Sequence, residues 1–309
     1  MDGGSQHAGV DHDLLGRRSV IAAGSGLAAL AALPATAATP EDKPFEICAF
    51  IKFVQSLSFE DLSRRIASMG FDGIEATVRE GGHVLPEHAE EELPRLAEAL
   101  KENGLEVTIM ATSVNSVQQP LTEKVLRTAA GLGIKRYRLA YLRYDLAKPI
   151  RPQIASHRAQ LKDLAEMNRD LGISGVYQNH AGATTVGSAV WDLRDILNDI
   201  PPEAISVAFD IRHATVEGGH NWPLHLHLIK PHLGAIYVKD FIWKAGIREA
   251  VNVPLGEGRV NPRFFAMVRE IFRGPVSLHV EYLPKAGVEK NLEAISSDFT
   301  LLKTLLGIA

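Results

Sequence analysis

Cysteine occurs once in 309 residues, as Cys48, so no disulfide framework can hold this chain together. Aromatic residues make up only 6%, and neither sign of charge dominates, with 33 Lys and Arg against 37 Asp and Glu and a net charge of -4. That balance excludes a nucleic-acid binder working through a bulk basic surface. There is no collagen-like glycine period, no low-complexity tract and no Gly-rich dinucleotide loop after an early strand. No apolar run has the length and hydrophobicity of a comfortable membrane span. What remains is 46% hydrophobic and 23% charged, the composition of a globular protein with ample material for a core. A lone thiol also suits an oxidising compartment, because it has no partner with which to mispair.

The first forty residues depart from this average. A polar stretch over 1–16 leads into Arg17-Arg18 and an apolar run over 20–33 rich in Gly and Ala. Ala35-Thr36-Ala37 follows, a small-x-small pattern suited to cleavage before Ala38. Paired arginines ahead of a weakly hydrophobic run resemble a twin-arginine export signal, the bacterial route for proteins that fold before crossing. The expected organisation is a signal peptide over 1–37, a short linker over 38–44 and one folded domain over 45–309. The expected location is the periplasm or another exported site, without a stable membrane anchor, since no cysteine stands near the cleavage region to carry a lipid.

Beyond residue 45 short apolar runs alternate with amphipathic stretches. Strands are expected at 46–51, 73–77, 106–111, 137–140, 174–178, 205–209, 235–238 and 276–280. Helices are expected at 59–69, 90–103, 122–132, 153–171, 190–198, 224–229, 262–272 and 292–306, the first capped by Ser58. Gly70, Gly133 and Gly172 each follow a helix, where a left-handed residue lets the chain re-enter the sheet. Strands alternating with helices imply right-handed crossovers and a parallel sheet buried on both faces. Eight such units in this length make a closed (β/α)8 TIM barrel.

A barrel of this kind gathers its chemistry at the C-terminal ends of its strands. Glu75 stands on the second strand, Gln178-Asn179-His180 follow the fifth, and Asp210 and His213 follow the sixth. Tyr237, Lys239 and Asp240 follow the seventh, and His279 and Glu281 the eighth. Carboxylates clustered on one rim repel unless a cation or a shared proton holds them, so Asp210 with Glu281 points to a divalent metal. Trp222 and Trp243 fall in rim loops, where an exposed indole could stack on a sugar ring.

The phrases Tyr177-Gln178-Asn179-His180, Phe209-Asp210-Ile211-Arg212-His213, Tyr237-Val238-Lys239-Asp240 and Val280-Glu281-Tyr282 resemble the xylose isomerase-like TIM barrels. That group contains sugar and sugar-phosphate isomerases and epimerases. The resemblance covers about residues 45–306. It implies a manganese or magnesium ion held by Gln178, Asp210 and Glu281. The family's strand-five glutamate is Gln178 here, and its strand-seven histidine is Tyr237.

The implied reaction is metal-assisted removal of a proton beside a sugar carbonyl. Glu281 or a histidine would act as base, Lys239 or His213 as proton donor, with His180 and Glu75 beside them and Arg212 at the substrate. Gln178 cannot act as a base, which disfavours a symmetric epimerase with a carboxylate on each face of the sugar. The same half-reaction becomes an elimination when a leaving group lies beta to the carbonyl, so a 3-keto-glycoside lyase is an alternative. A non-catalytic carbohydrate-binding barrel is another. The expected partner is a small carbohydrate and no nucleic acid; assembly into a homo-oligomer is compatible with the sequence.

Overall fold

The short apolar runs form eight parallel strands: β1 (Phe45–Phe50), β2 (Gly73–Val78), β3 (Glu106–Thr112), β4 (Arg136–Arg138), β5 (Ser174–Gln178), β6 (Ile205–Asp210), β7 (Leu233–Val238) and β10 (Gly274–Leu278). Each pairs with the next, and β10 returns to β1 with Phe45 opposite Gly274 and Ala49 opposite Leu278. Closure leaves no sheet edge exposed. The computed structural model describes residues 43–246 and 249–308, so the expected signal peptide over 1–37 and its expected cleavage position lie outside the described residues.

The helices are α1 (Phe59–Met69), α2 (Ala89–Glu102), α3 (Thr122–Gly131), α4 (Ile150–Leu171), α5 (Trp191–Ile196), α6 (Ile211–Gly218), α7 (Trp222–Ile229), α8 (Arg263–Ile271) and α9 (Val288–Leu306). Ser58 caps α1 by accepting the amide of Asp61 at 3.1 Å. Gly70, Gly133 and Gly172 adopt φ of 91°, 79° and 69°, the left-handed turn expected of them. Among the described residues no helix is long and apolar enough to cross a membrane.

Three details differ from the sequence reading. β4 starts and ends earlier than 137–140: the Leu139 amide still donates to the Val176 carbonyl at 3.0 Å, but that of Ala140 turns to the Val114 carbonyl at 2.8 Å. α6 begins directly after β6, with Asp210 as its N-cap accepting the amide of His213 at 3.1 Å. The stretch after β7 is an antiparallel hairpin, β8 (Asp240–Trp243) with β9 (Ala250–Val253), rather than irregular loop.

Two apolar layers hold the barrel. The outer one lies between sheet and helices and includes Leu62, Ile66, Leu93, Leu164, Phe264 and Val268, all without solvent exposure. Each such side chain contributes about 1.5–3 kcal/mol relative to exposure. The inner one is small: Ile109, Val176, Ala208, Ala235 and Tyr237. Side chains alternate along a strand, so residues two apart share the inner face. Above the small layer that period brings Glu75, Arg138, Gln178, Asp210, Lys239 and His279 to one end of the interior.

Candidate active site

A continuous chain of charged and polar contacts runs across this end. Glu75, fully buried, accepts from Ser277 Oγ at 2.7 Å and meets His279 Nε2 at 2.9 Å. Its other oxygen faces Arg138 Nε at 3.4 Å. Arg138 Nη1 and the Tyr141 hydroxyl both donate to Gln178 Oε1, each at 2.6 Å. Gln178 Nε2 then donates to Asp210 Oδ2 at 2.7 Å. Lys239 Nζ stands 3.3 Å from that oxygen and 3.3 Å from Glu281 Oε1. His279 Nδ1 lies 3.1 Å from the same Glu281 oxygen and closes the circuit.

Neighbours lock these groups in place. Phe50 stacks on the His279 ring with centroids 4.4 Å apart, and the Arg138 guanidinium lies over Phe50 at 5.4 Å. Asn179 accepts the Asp210 amide at 2.7 Å and donates to the Asp210 carbonyl at 3.1 Å, which fixes the strand ends of β5 and β6 against each other. The Asp210 carboxylate has no solvent exposure, and neither has the Glu75 side chain. Glu281 is the exception, with its side chain 20% exposed.

The electrostatics follow from that packing. Burial raises the Glu75 carboxyl, but His279 and Arg138 outweigh it and hold the group down at about 2. Burial also opposes ionisation of Glu281, and again the cations prevail: Lys239 and His279 hold it well below the usual carboxylate range. Lys239 would lose its proton more readily through burial, yet Asp210 and Glu281 push it above the ordinary lysine value. His180 is pulled down to about 4 by burial and by Lys239, so its ring is neutral at pH 7. Its Nδ1 contacts the Ala181 carbonyl at 2.8 Å, which makes Nδ1 the protonated nitrogen and leaves a lone pair on Nε2. The neutral His213 ring lies 3.7 Å away, centroid to centroid, with Arg212 Nη1 donating to its Nδ1 at 3.0 Å.

The expected site residues therefore divide. Glu75, Gln178, Asp210, Lys239 and Glu281 belong to one network, and His180 and His213 flank it. Arg212 is not free for substrate. Its Nε and Nη2 bind Asn252 Oδ1 and the Ala250 carbonyl of β9, at 3.1 and 2.9 Å, so it ties the hairpin to His213. Trp222 is no rim platform either: it is 5% exposed and packs edge-on against Phe264. Trp243 is 46% exposed but sits on β8 rather than in a loop. Asp240 points away from the network to grip a loop, described below.

Sequence reasoning missed Arg138 and Tyr141. Arg138 belongs to Arg136-Tyr137-Arg138, a run that reads as solvated charge. The residue between them, Tyr137, faces α4, donating to Asn168 Oδ1 at 2.9 Å, which puts both arginines on the inner face.

The donors around Asp210 and Glu281 do not suit a hard divalent ion. Such an ion needs oxygen lone pairs or neutral imidazole converging on one point. Here Gln178 turns its amide nitrogen toward Asp210, and Tyr237 fills its position with a fully buried ring 4.6 Å from His279. Among the described residues no three His, Cys, Asp or Glu side chains are placed to hold a metal.

Comparison with known proteins agrees with the architecture. Residues 63–298 match the family model for xylose isomerase-like TIM barrels. No curated protein matches the chain in sequence. Among solved structures, a D-psicose 3-epimerase from Clostridium cellulolyticum H10 superposes with a TM-score of 0.65 at 12% identity, covering 84% of this chain and 99% of that one. A 3-keto-D-glucoside 4-epimerase from E. coli gives 0.64 at 16%, covering 83% and 99%. A Bacillus anthracis protein described as a probable 3-DHS dehydratase gives 0.64 at 16%, covering 82% and 98%. Identities this low establish a shared fold.

Proposed function

The chain belongs to the xylose isomerase-like TIM-barrel family, and from that premise we propose that it is a sugar-modifying enzyme that removes a proton from the carbon beside a carbonyl. One observation carries the reading. Of the three carboxylates in the network, Glu75 and Asp210 have no solvent exposure, while Glu281 keeps solvent contact and an oxygen, Oε2, with no hydrogen-bond partner among the described residues. Glu281 is the base.

A carboxylate held anionic by two cations is weakly basic. It can deprotonate a carbon acid only if the enolate is stabilised as it forms. Lys239 and Arg138 supply positive charge beside Glu281 and require no reorganisation, because Asp210, Glu75 and Gln178 already fix them. The proton returns on a different atom or face to give an isomer.

The opposite side of the network favours a second reading. It presents the amide of Gln178, which has no basicity, and the neutral imidazoles of His180 and His213. That asymmetry leaves a single base, and a β-elimination from a 3-keto-glycoside needs only one: the proton Glu281 takes from carbon is given back to the departing glycosidic oxygen. The structures that share the fold include, by their names, a D-psicose 3-epimerase, a 3-keto-D-glucoside 4-epimerase and a probable 3-DHS dehydratase. The twin-arginine segment supports a substrate met outside the cytoplasm.

The test is solvent exchange in deuterium oxide, followed by NMR over a panel of ketoses and 3-keto-glycosides. Wild-type protein is expected to label the carbon beside the carbonyl, and Glu281→Gln to lower the rate by about 10³-fold. Release of free sugar from the glycosides selects the elimination. Equal labelling by wild type and variant overturns Glu281 as base, and saturable binding without labelling anywhere in the panel overturns the enzyme reading.

A further inference from the structure

Two acids, one at the end of β6 and one in the loop after β10, need a cation between them, and this chain supplies one of its own. Lys239 Nζ is equidistant from Asp210 Oδ2 and Glu281 Oε1, at 3.3 Å each. Metal–oxygen bonds to a manganese or magnesium ion are about 2.0–2.2 Å, so an ion bridging these two oxygens would occupy the volume the ammonium fills. The rest of the circuit is built around the ammonium. Gln178 offers Asp210 a hydrogen-bond donor, and its own oxygen already accepts from Arg138 and Tyr141. A glutamate at 178 would add negative charge; the amide adds none. Tyr237 is paired with Asp210 in the β6–β7 register, but its hydroxyl has no hydrogen-bond partner among the described residues and its ring is packed on His279.

The charges come within one of balance without a metal. Glu75, Asp210 and Glu281 carry three negative charges, and Arg138 and Lys239 return two at contact distance. Both ring nitrogens of His279 face carboxylates as well. A divalent ion added to this set would stand against an ammonium with no acid left unpaired.

We propose that Lys239 is the resident cation of the site: its ammonium takes the place of a divalent metal between Asp210 and Glu281, and with Arg138 it polarises the substrate carbonyl. The displacement of the metal stands on the donor geometry alone. The electrophilic role rests on the enolisation reading.

Substrate-free metal binding tests the displacement, so failure of the enolisation reading leaves it intact. Full-length protein stripped with chelator is titrated with manganese chloride by calorimetry, with the thermal midpoint followed in parallel. Wild type is expected to show no stoichiometric binding up to about 1 mM and no shift in midpoint. Lys239→Met combined with Gln178→Glu removes the ammonium and restores a third acid. That double variant is expected to bind one manganese at least about 100-fold more tightly than wild type, or, if it folds poorly, to regain its cooperative transition only with manganese. One tightly bound equivalent in wild type overturns the proposal, as does a folded double variant with wild-type affinity. Solvent exchange that persists in excess chelator, and falls in Lys239→Met without recovery on adding manganese, supports the electrophilic role; exchange abolished by chelator overturns it.

Discussion

At Gln178 one amide joins two systems that would otherwise be separate ion pairs. Its oxygen accepts from Arg138 and its nitrogen donates to Asp210, a pairing that an ionised glutamate at this position could not make because it has no proton to donate. The departures at Gln178 and Tyr237 were visible in the sequence. Their meaning was not, because it depends on where the Lys239 ammonium lies. Nor could spacing show that Arg212 and Trp222 are spent on packing, since both stand within phrases that otherwise read as a site. At the other end of the barrel Glu46 shows the opposite electrostatics from Glu75. Burial and then the neighbouring Glu106 carboxyl raise its carboxyl to about 7, against the weaker pull of Arg136 at 3.5 Å. A folded-state value above the unfolded one means the native state holds the extra proton between pH 4.5 and 7. Stability therefore falls as pH rises through that window, and the penalty is complete above it. Glu46→Gln is expected to remove this slope and to raise unfolding free energy at pH 8 by about 1–2 kcal/mol, allowing for solvent screening. Urea melts at pH 5 and pH 8 check it; an unchanged difference between the two would sink the assignment.

Among the elements, the β8–β9 hairpin is the part least legible beforehand. Its strands are four residues each, and their apolar content is too brief to distinguish from loop. What holds it is Asp240, whose carboxylate accepts backbone N–H groups from Phe241, Gly256, Gly258 and Val260 at 2.8–3.1 Å. The glycines of Pro254-Leu255-Gly256-Glu257-Gly258 thus mark a loop wrapped on a carboxylate. A Cβ at position 258 would meet Asp240 Oδ1 at 2.1 Å, a clash that either the loop or the carboxylate must relieve. Gly258→Ala is expected to destabilise the fold by about 2–4 kcal/mol, measured by chemical denaturation. A loss below about 0.5 kcal/mol would show that the loop does not depend on Asp240. The eight barrel units were far more legible, because hydrophobic periodicity and a glycine after the helix recur in each of several successive turns. α6 escaped notice because its cap, Asp210, also ends the preceding strand, leaving no connecting residues to announce a helix.

For the whole molecule, closure was the step that pattern reading reached most directly. A count of eight alternations is a statement about topology, and topology decides which residues meet. The identities of the meeting groups were then largely correct, since strand ends must converge at one mouth. Their pairing was not predictable, as it depends on tenths of an ångström in a closed ring. The N-terminal processing expected from Arg17-Arg18 and Ala35-Thr36-Ala37 has its own check. Intact-mass analysis of protein recovered from an exporting bacterium is expected to give a chain beginning at Ala38, and replacement of both arginines by lysine to leave it full-length inside the cell. Cleavage that persists in the double-lysine variant would rule out the twin-arginine route.

Glu75 bonds Ser277 and His279 across 202 and 204 residues of chain. A ribosome delivers those partners in order, so Glu75 and Arg138 emerge long before the last strand can reach them. Until β10 docks beside β1 the forming interior carries a buried acid without its histidine, and the penultimate stage of folding is poorly stabilised at its centre. The last hydrogen bonds to form complete both the wall of the barrel and its reactive end. A nascent chain therefore cannot complete this network in stages: it closes in one event, with the final strand.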